Sequence, residues 1–294
     1  WRHLSHGDAG REHTVKLTGG GLRRMSSTKM NIVSASHRST TLLAFILLQA
    51  ASTLAHPALA QNKKTSPVSV EASVSLEWDQ NKGVYIATGD AILEQDGKSL
   101  KADDIIAHYD PSSERRDLTD VSAEGSVVFI DGDNVARGTK LDYHIADKTY
   151  HLFGPKAVVT SPRGIMTAAG SITYDASDIT NKQVLAFGAA SYKGDNGRII
   201  EGERIVAFLD GEGAIQTVTA EGNAKVVTPK GIVAAADRLD YVAATDRADL
   251  FGHVEIIDRD NVLRGTRAEV EFDKEISRLL SDNTGKRVTG VLNQ

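Results

Sequence analysis

Residues 131 to 143 read DGDNVARGTKLDY, and 127 residues further on, from 258, the chain reads DRDNVLRGTRAEV. Closely spaced acids ahead of an asparagine could open a calcium loop, and a carboxylate pair could serve a hydrolase. Calcium takes about six to eight oxygens around one point, and a single DGDN tip supplies too few. A carbohydrate-active enzyme needs acids that converge on a groove. Its candidates are Asp142, Asp175 and Asp240, but each alternates with apolar neighbours and so faces outward. Beyond residue 60 the histidines are His108, His144, His151 and His253, too scattered for metal-ligand spacing. No catalytic residue, metal or cofactor is expected. A secreted β-solenoid enzyme, or a structural or adhesive solenoid, is the alternative reading.

The repeated phrase is punctuation rather than chemistry. Glycines at 89, 125, 154, 188, 222 and 252 open six successive units, each with a second small residue at Ala102, Gly138, Ala169, Gly202, Ala236 or Gly265. Apolar residues alternate between these anchors, the period of a strand with one buried face. The strand after the glycine turns Leu93, Val127, Phe129, Val158, Val226, Val254 and Ile256 inward. The strand after the second anchor does the same with Ile105, Leu141, Tyr143, Ile172, Tyr174, Ile205, Leu239, Tyr241, Val270 and Phe272. A third short strand is expected just before each new glycine. Unit three is irregular, with Lys156 beside Val158. Turn residues QDG, DGDN, PRG, DNG, PKG and DRDN fall where alternation stops, which makes the opening phrase a hairpin tip. The stretch from Asp175 to Gln183 is ambiguous between helix and loop.

One strand, VSVEASVSLEW, precedes the units, with Val68, Val70, Ala72, Val74 and Leu76 on one face. From Val68 to Leu76 it holds no Lys, Pro or Gly, the usual protection of a free edge. Val70, Ala72 and Val74 are therefore expected to pair with a neighbouring molecule by strand addition, against its last strand near Val288 and Leu292.

The ends of the chain read differently. Residues 1–24 resemble upstream sequence. Residues 25–60 combine a basic stretch, the apolar run TTLLAFILLQAASTLA and small residues at Ala58 and Ala60, the pattern of a signal peptide cleaved after Ala60. Residues 61–67 form a polar lead, and 68–294 the folded domain. With the leader's 7 basic and 2 acidic residues set aside from totals of 34 and 39, the rest carries 27 against 37, a net charge of −10. Such a balance argues against nucleic acid as a partner. The chain has no cysteine, so packing and backbone pairing must hold it together.

Stacked units of this kind give an all-β, elongated, twisted double sheet or solenoid. Its interior, rich in Ala and poor in Phe and Leu, suits either close packing or a trough for acyl chains. The serial second strands ADDIIAHY and GTKLDY, and the ending FGHVEIIDRDNVLRGTRAEVEFDKEISRLLSDNTGKRVTGVL, resemble the periplasmic lipopolysaccharide-transport protein A family, also called OstA-like. The similarity runs from about Gly83 to Leu292 and is most specific in SDNTGKRVTGVL. The resemblance implies a β-jelly-roll, the "taco", whose interior carries lipopolysaccharide in the periplasm. It also implies head-to-tail stacking that links an inner-membrane export complex to an outer-membrane translocon. The repeat region is longer than in compact members, so a longer interior is expected.

Overall fold

The protein is described by a computed structural model covering residues 67–114, 116–281 and 287–291. The expected leader, nearly all of the polar lead and Leu292 lie outside these residues. The strands are β1 (Ser69–Glu71), β2 (Ser75–Asp79), β3 (Val84–Gln95), β4 (Lys98–Tyr109), β5 (Leu118–Asp131), β6 (Asn134–His144), β7 (Thr149–Phe153), β8 (Ala157–Ser161) and β9 (Gly164–Ala168). They continue as β10 (Ser171–Asp175), β11 (Lys182–Gly194), β12 (Ile199–Leu209), β13 (Ile215–Val227), β14 (Val233–Val242), β15 (Arg247–Asp258), β16 (Asn261–Glu271), β17 (Ile276–Leu280) and β18 (Thr289–Val291). All are antiparallel and belong to one hydrogen-bonded sheet.

That sheet is folded along a crease. The ten long strands, β3–β6 and β11–β16, each cross it and contribute to both layers. At the crossing β3, β5, β11, β13 and β15 carry one more residue than their partners, and the register shifts after Thr88, Glu124, Phe187, Glu221 and Phe251. At every shift a glycine and its successor are both left-handed: Gly89–Asp90, Gly125–Ser126, Gly188–Ala189, Gly222–Asn223 and Gly252–His253, with φ of 74° to 87° and then 42° to 54°. This two-residue bulge bends the strand while leaving inward faces inward. The facing strand places Asp103, Glu203 or Asp237 over the bulge. A side chain on Gly125 or Gly252 would come within 2.1 Å of the carboxylate of Asp103 or Asp237, and the Ala189 N–H donates to Glu203 Oε2 at 3.3 Å.

Where the chain breaks at the crease instead of bulging, short strands serve one layer each. β1, β8, β9 and β18 belong to the first layer, and β2, β7, β10 and β17 to the second. The expected three strands per unit are thus two long ones, because a bulge bends the ladder without interrupting it. VSVEASVSLEW is not one strand: it turns the corner between β1 and β2, and the Ser73 and Val74 amides donate to Gly89 and Thr88 carbonyls at 2.7 and 3.0 Å. Residues between Asp175 and Lys182 form turns in which Asp175 and Asp178 accept from Ser177 and Thr180.

The core lies between the layers. Next to the crease, cross-strand neighbours run Ala87, Ile105, Ala123, Leu141, Leu152, Ile172, and then Ala186, Ile205, Ala220, Leu239, Leu250, Ala268, all buried. Each alanine before Leu152, and again before Leu250, stands beside larger neighbours. Alternating volumes of this kind fill a narrow angle at native density. The abundant alanine therefore belongs to a packed crease. The order also repeats after six strands, and sequence follows it: VSAEG at 121 and VTAEG at 218, LDY at 141 and 239, LFG at 152 and 250. The true period is 97 to 98 residues at these positions, two copies of a six-strand block.

Gly188→Ala puts a Cβ 2.8 Å from the Gly170 backbone nitrogen at φ 87°. It should lower stability by about 1–3 kcal/mol. Gly132→Ala, at a tip with nothing within 4 Å, should cost about 1 kcal/mol or less. Urea unfolding of both measures the difference, and equal costs would show that the crease is not a packing constraint.

Candidate functional site

Opposite the crease the two layers end in two rows of turns, and among the described residues no strand pairing joins them. These rows are the lips of a trough. The first layer's lip consists of the turns after β3, β5, β8, β11, β13 and β15, and its inward alternation ends in polar side chains such as Lys98, Asp131 and Arg198. The second layer's wall ends in Leu118, Ile145, Ile215 and Phe272, all packed against the core. The second wall thus stays apolar up to its turns, which carry acids such as Asp246 and Glu275, whereas on the first wall the charges begin within the strand ends.

Between crease and lips the residues grow larger and aromatic. Tyr143 stacks on Tyr150 at 4.1 Å between centroids, and Phe129 and Tyr174 contact Tyr150 at 5.6 and 6.0 Å. Burial, with a smaller contribution from the Tyr143 hydroxyl, pushes the Tyr150 phenol above its ordinary range, so it stays neutral. Beside this cluster lies an apolar recess of about 60 Å³ reaching Leu93, Leu100 and Val121. A second, about 220 Å³, opens in the other six-strand block over Ile200, Ile215 and Val218, with Arg163, Tyr192, Arg198 and Tyr241 around it.

Over the end of the first block and the second, polar ties cross from lip to lip. Arg163 Nη2 donates to the Glu212 carbonyl at 3.3 Å. Arg198 grips Asp246 with both terminal nitrogens, at 2.6 and 3.1 Å, and Lys230 pairs with Glu275. Every tie joins a turn of the first layer to a second-layer turn three strands further along, which is how two twisted layers meet. Arg198 also lies against the rings of Tyr241 and Phe272, 5.2 and 4.3 Å from their centroids.

Leu93, Ile105, Val127, Leu141, Ile172, Ile205, Val226, Leu239, Val254, Ile256 and Val270 sit in the buried core. Phe129, Tyr143, Tyr241 and Phe272 pack against it partly exposed, and Tyr174 joins them through Tyr150. Val158 does not. It lies opposite Arg137 and Thr167, while its neighbours Ala157 and Val159 point into the core. The cause is the break at Gly154–Pro155: the usual left-handed pair is missing, and the inward phase moves by one residue. At the edges, Val70 and Ala72 pack against the core, whereas Val74 is 74% exposed and Val288 is exposed too. Arg198 and Asp246 were not legible as site residues. Arg198 shares the inward phase of Ile200 and Gly202, but its partner is 48 residues away.

Two successive stretches, residues 70–180 and 178–276, match the family described as LptA/(LptD N-terminal domain) LPS transport protein. The two matches meet in the turn between β10 and β11, where one six-strand block gives way to the next. No curated protein matches the chain. Among solved structures it is similar to LptH, the LptA-homologous periplasmic component of the lipopolysaccharide transport device of Pseudomonas aeruginosa, at 12% identity over 78% of this chain and 96% of that one, with a TM-score of 0.19.

The phase change in β8 gives a test on adjacent residues. Val159→Asp places a carboxylate among apolar side chains, at a cost of several kcal/mol unless it protonates. Val158→Asp, on the outer face, should change stability and apolar-dye binding little. Thermal melting and dye titration of the pair decide it, and a more damaging Val158→Asp would restore the sequence phase.

Proposed function

Because this chain belongs to the LptA/LptD N-terminal domain family of lipopolysaccharide transport proteins, and is thus a transport protein rather than an enzyme, we propose that it carries lipopolysaccharide through the periplasm along the trough. The observation that carries this reading is continuity. β9 and β10, ending the first block, pair directly with β11, which opens the second. The apolar row therefore runs through both blocks without a gap. Each methylene moved from water onto such a surface contributes about 0.8 kcal/mol, and no energy source is needed within the chain to hold the lipid.

The recesses take only part of an acyl chain, since a water-sized group occupies about 30 Å³. Lipid enters as the layers part at the lips, where side chains alone join them, and the crease acts as the hinge. The trough-lining set is the one placed above, with Val159 in the position expected of Val158. At its ends the protein meets the inner-membrane export complex, the outer-membrane translocon or a second copy of itself. The exposed Leu76 and Trp78 at one end and Val288 and Val291 at the other support end-to-end contact. Ser73 and Val74 spend their amides inside the chain, so the contact uses the outer edges of β1 and β2.

Native mass spectrometry of protein purified from lipopolysaccharide-producing cells should find lipid A on the folded chain, and folded protein that neither co-purifies with nor binds lipid would sink the carrier reading. Leu76, 57% exposed and opposite the inward Ala87, is also a probe of stacking. Leu76→Lys should abolish concentration-dependent association in sedimentation without lowering the melting temperature. A wild type that stays monomeric at high concentration would remove the end-to-end contact.

A further inference from the structure

The ties over the second block raise a problem for anything that slides along the trough. A lipid with acyl chains inside and a charged headgroup outside must pass between the lips, and Arg198–Asp246 stands across the way. We propose that Arg198 is an anion-binding residue of the trough, and that a phosphate on the headgroup of an acylated lipid replaces Asp246 on its guanidinium and so opens the mouth at that point. The inference rests on the carrier reading and adds to it a headgroup site and its specificity.

Four observations converge on this residue. Arg198 lies at the rim of the larger recess, whose floor of Ile200, Ile215 and Val218 is apolar and whose rim also holds Arg163. That is the arrangement an amphiphile with an anionic head requires. The guanidinium is held in place by Tyr241 and Phe272, with its side chain only 11% exposed, so a ligand finds it already oriented. The closed clasp is also incomplete: Arg198 Nε is enclosed without a hydrogen-bond partner, so a donor's desolvation is left uncompensated.

The fourth observation is that the present partner is replaceable. Asp246 is 32% exposed and lies in the turn after a 3-10 segment, at φ 45°, where its carboxylate can move into water. As it leaves it also releases the Tyr241 hydroxyl, which now donates to Asp246 Oδ1 at 2.9 Å. A phosphate then meets two guanidinium nitrogens and a phenol. Phosphate matches the planar guanidinium fork as a carboxylate does, with more oxygens and more charge. Exchange of one anion for the other therefore keeps Arg198 paired while breaking the bridge between lips.

The test compares bis-phosphorylated lipid A with the same lipid after removal of both phosphates, by equilibrium binding to the full chain. Wild type should prefer the phosphorylated lipid by about tenfold, the equivalent of one charge-assisted hydrogen bond. Arg198→Gln should lose that preference and bind the dephosphorylated lipid more tightly than wild type does, since no clasp has to open. Asp246→Asn should bind the phosphorylated lipid more tightly than wild type, since nothing competes for Arg198. Arg204→Gln, an ion-pair partner of Glu221 away from the lips, should leave the preference unchanged. A wild type that binds both lipids equally, or an Arg198→Gln variant that keeps the preference, overturns this inference alone. A wild type that binds neither overturns the carrier reading as well. If Arg198→Gln fails to fold, Asp246→Asn decides: unchanged affinity and selectivity overturn the proposal. Inorganic phosphate alone, followed by melting temperature, should stabilise Asp246→Asn less than the lipid does, and equal stabilisation would assign the site to free phosphate.

Discussion

The structure depends on every long strand turning the same corner at the same height. A sheet creases only if each strand bends where its neighbours bend, and one straight strand would force the ladder open. The left-handed glycine pair supplies the bend, and it recurs in β3, β5, β11, β13 and β15 with nearly constant angles. Its second residue is Asp, Ser, Ala, Asn or His. Only Asn, Asp and His among these visit that region with any ease, so the neighbouring strands must hold the others there. The polar side chains at 103, 203 and 237 occupy the space the glycines leave empty, which closes the outside of the corner.

Distance from this crease assigns each residue its task. Beside it the layers converge and small residues alternate with large ones. Farther out the gap widens, and Tyr143, Tyr150, Tyr174, Tyr192 and Tyr241 fill it incompletely. At the lips, among the described residues, the layers are tied through the side chains of Arg163, Arg198 and Lys230. A crease of fixed geometry and a rim bridged by polar side chains follow from one wedge-shaped interior. Apolar walls and charged lips thus border the same opening.

The sequence made the anchors legible because both crease residues are chemically small and regularly spaced. Inward alternation was legible for the same reason, since the bulge preserves phase. What it concealed is instructive. A bulge looks like a strand boundary in one dimension, so β3 or β11 reads as two strands. Val158 was misplaced because Pro155 follows Gly154 and the left-handed pair is absent, a change of one residue that turns a short strand over. VSVEASVSLEW alternates without a flaw, yet it spans a corner, which alternation cannot register. The six-strand period stayed hidden because the Ala–Ile–Ala–Leu–Leu order exists only across hydrogen-bonded neighbours. The clasp of Arg198 on Asp246 depends on the skew of two layers, which is a property of the twisted sheet and not of any segment.

The turn between β10 and β11 fastens the two six-strand blocks, each matching the family by itself, into one chain. A junction between separate chains forms and dissolves by mass action, whereas one inside a chain has an effective concentration set by its tether. At about 4.8 Å per strand, each six-strand block spans about 29 Å, so the two blocks together span about 58 Å across one junction that dilution cannot undo.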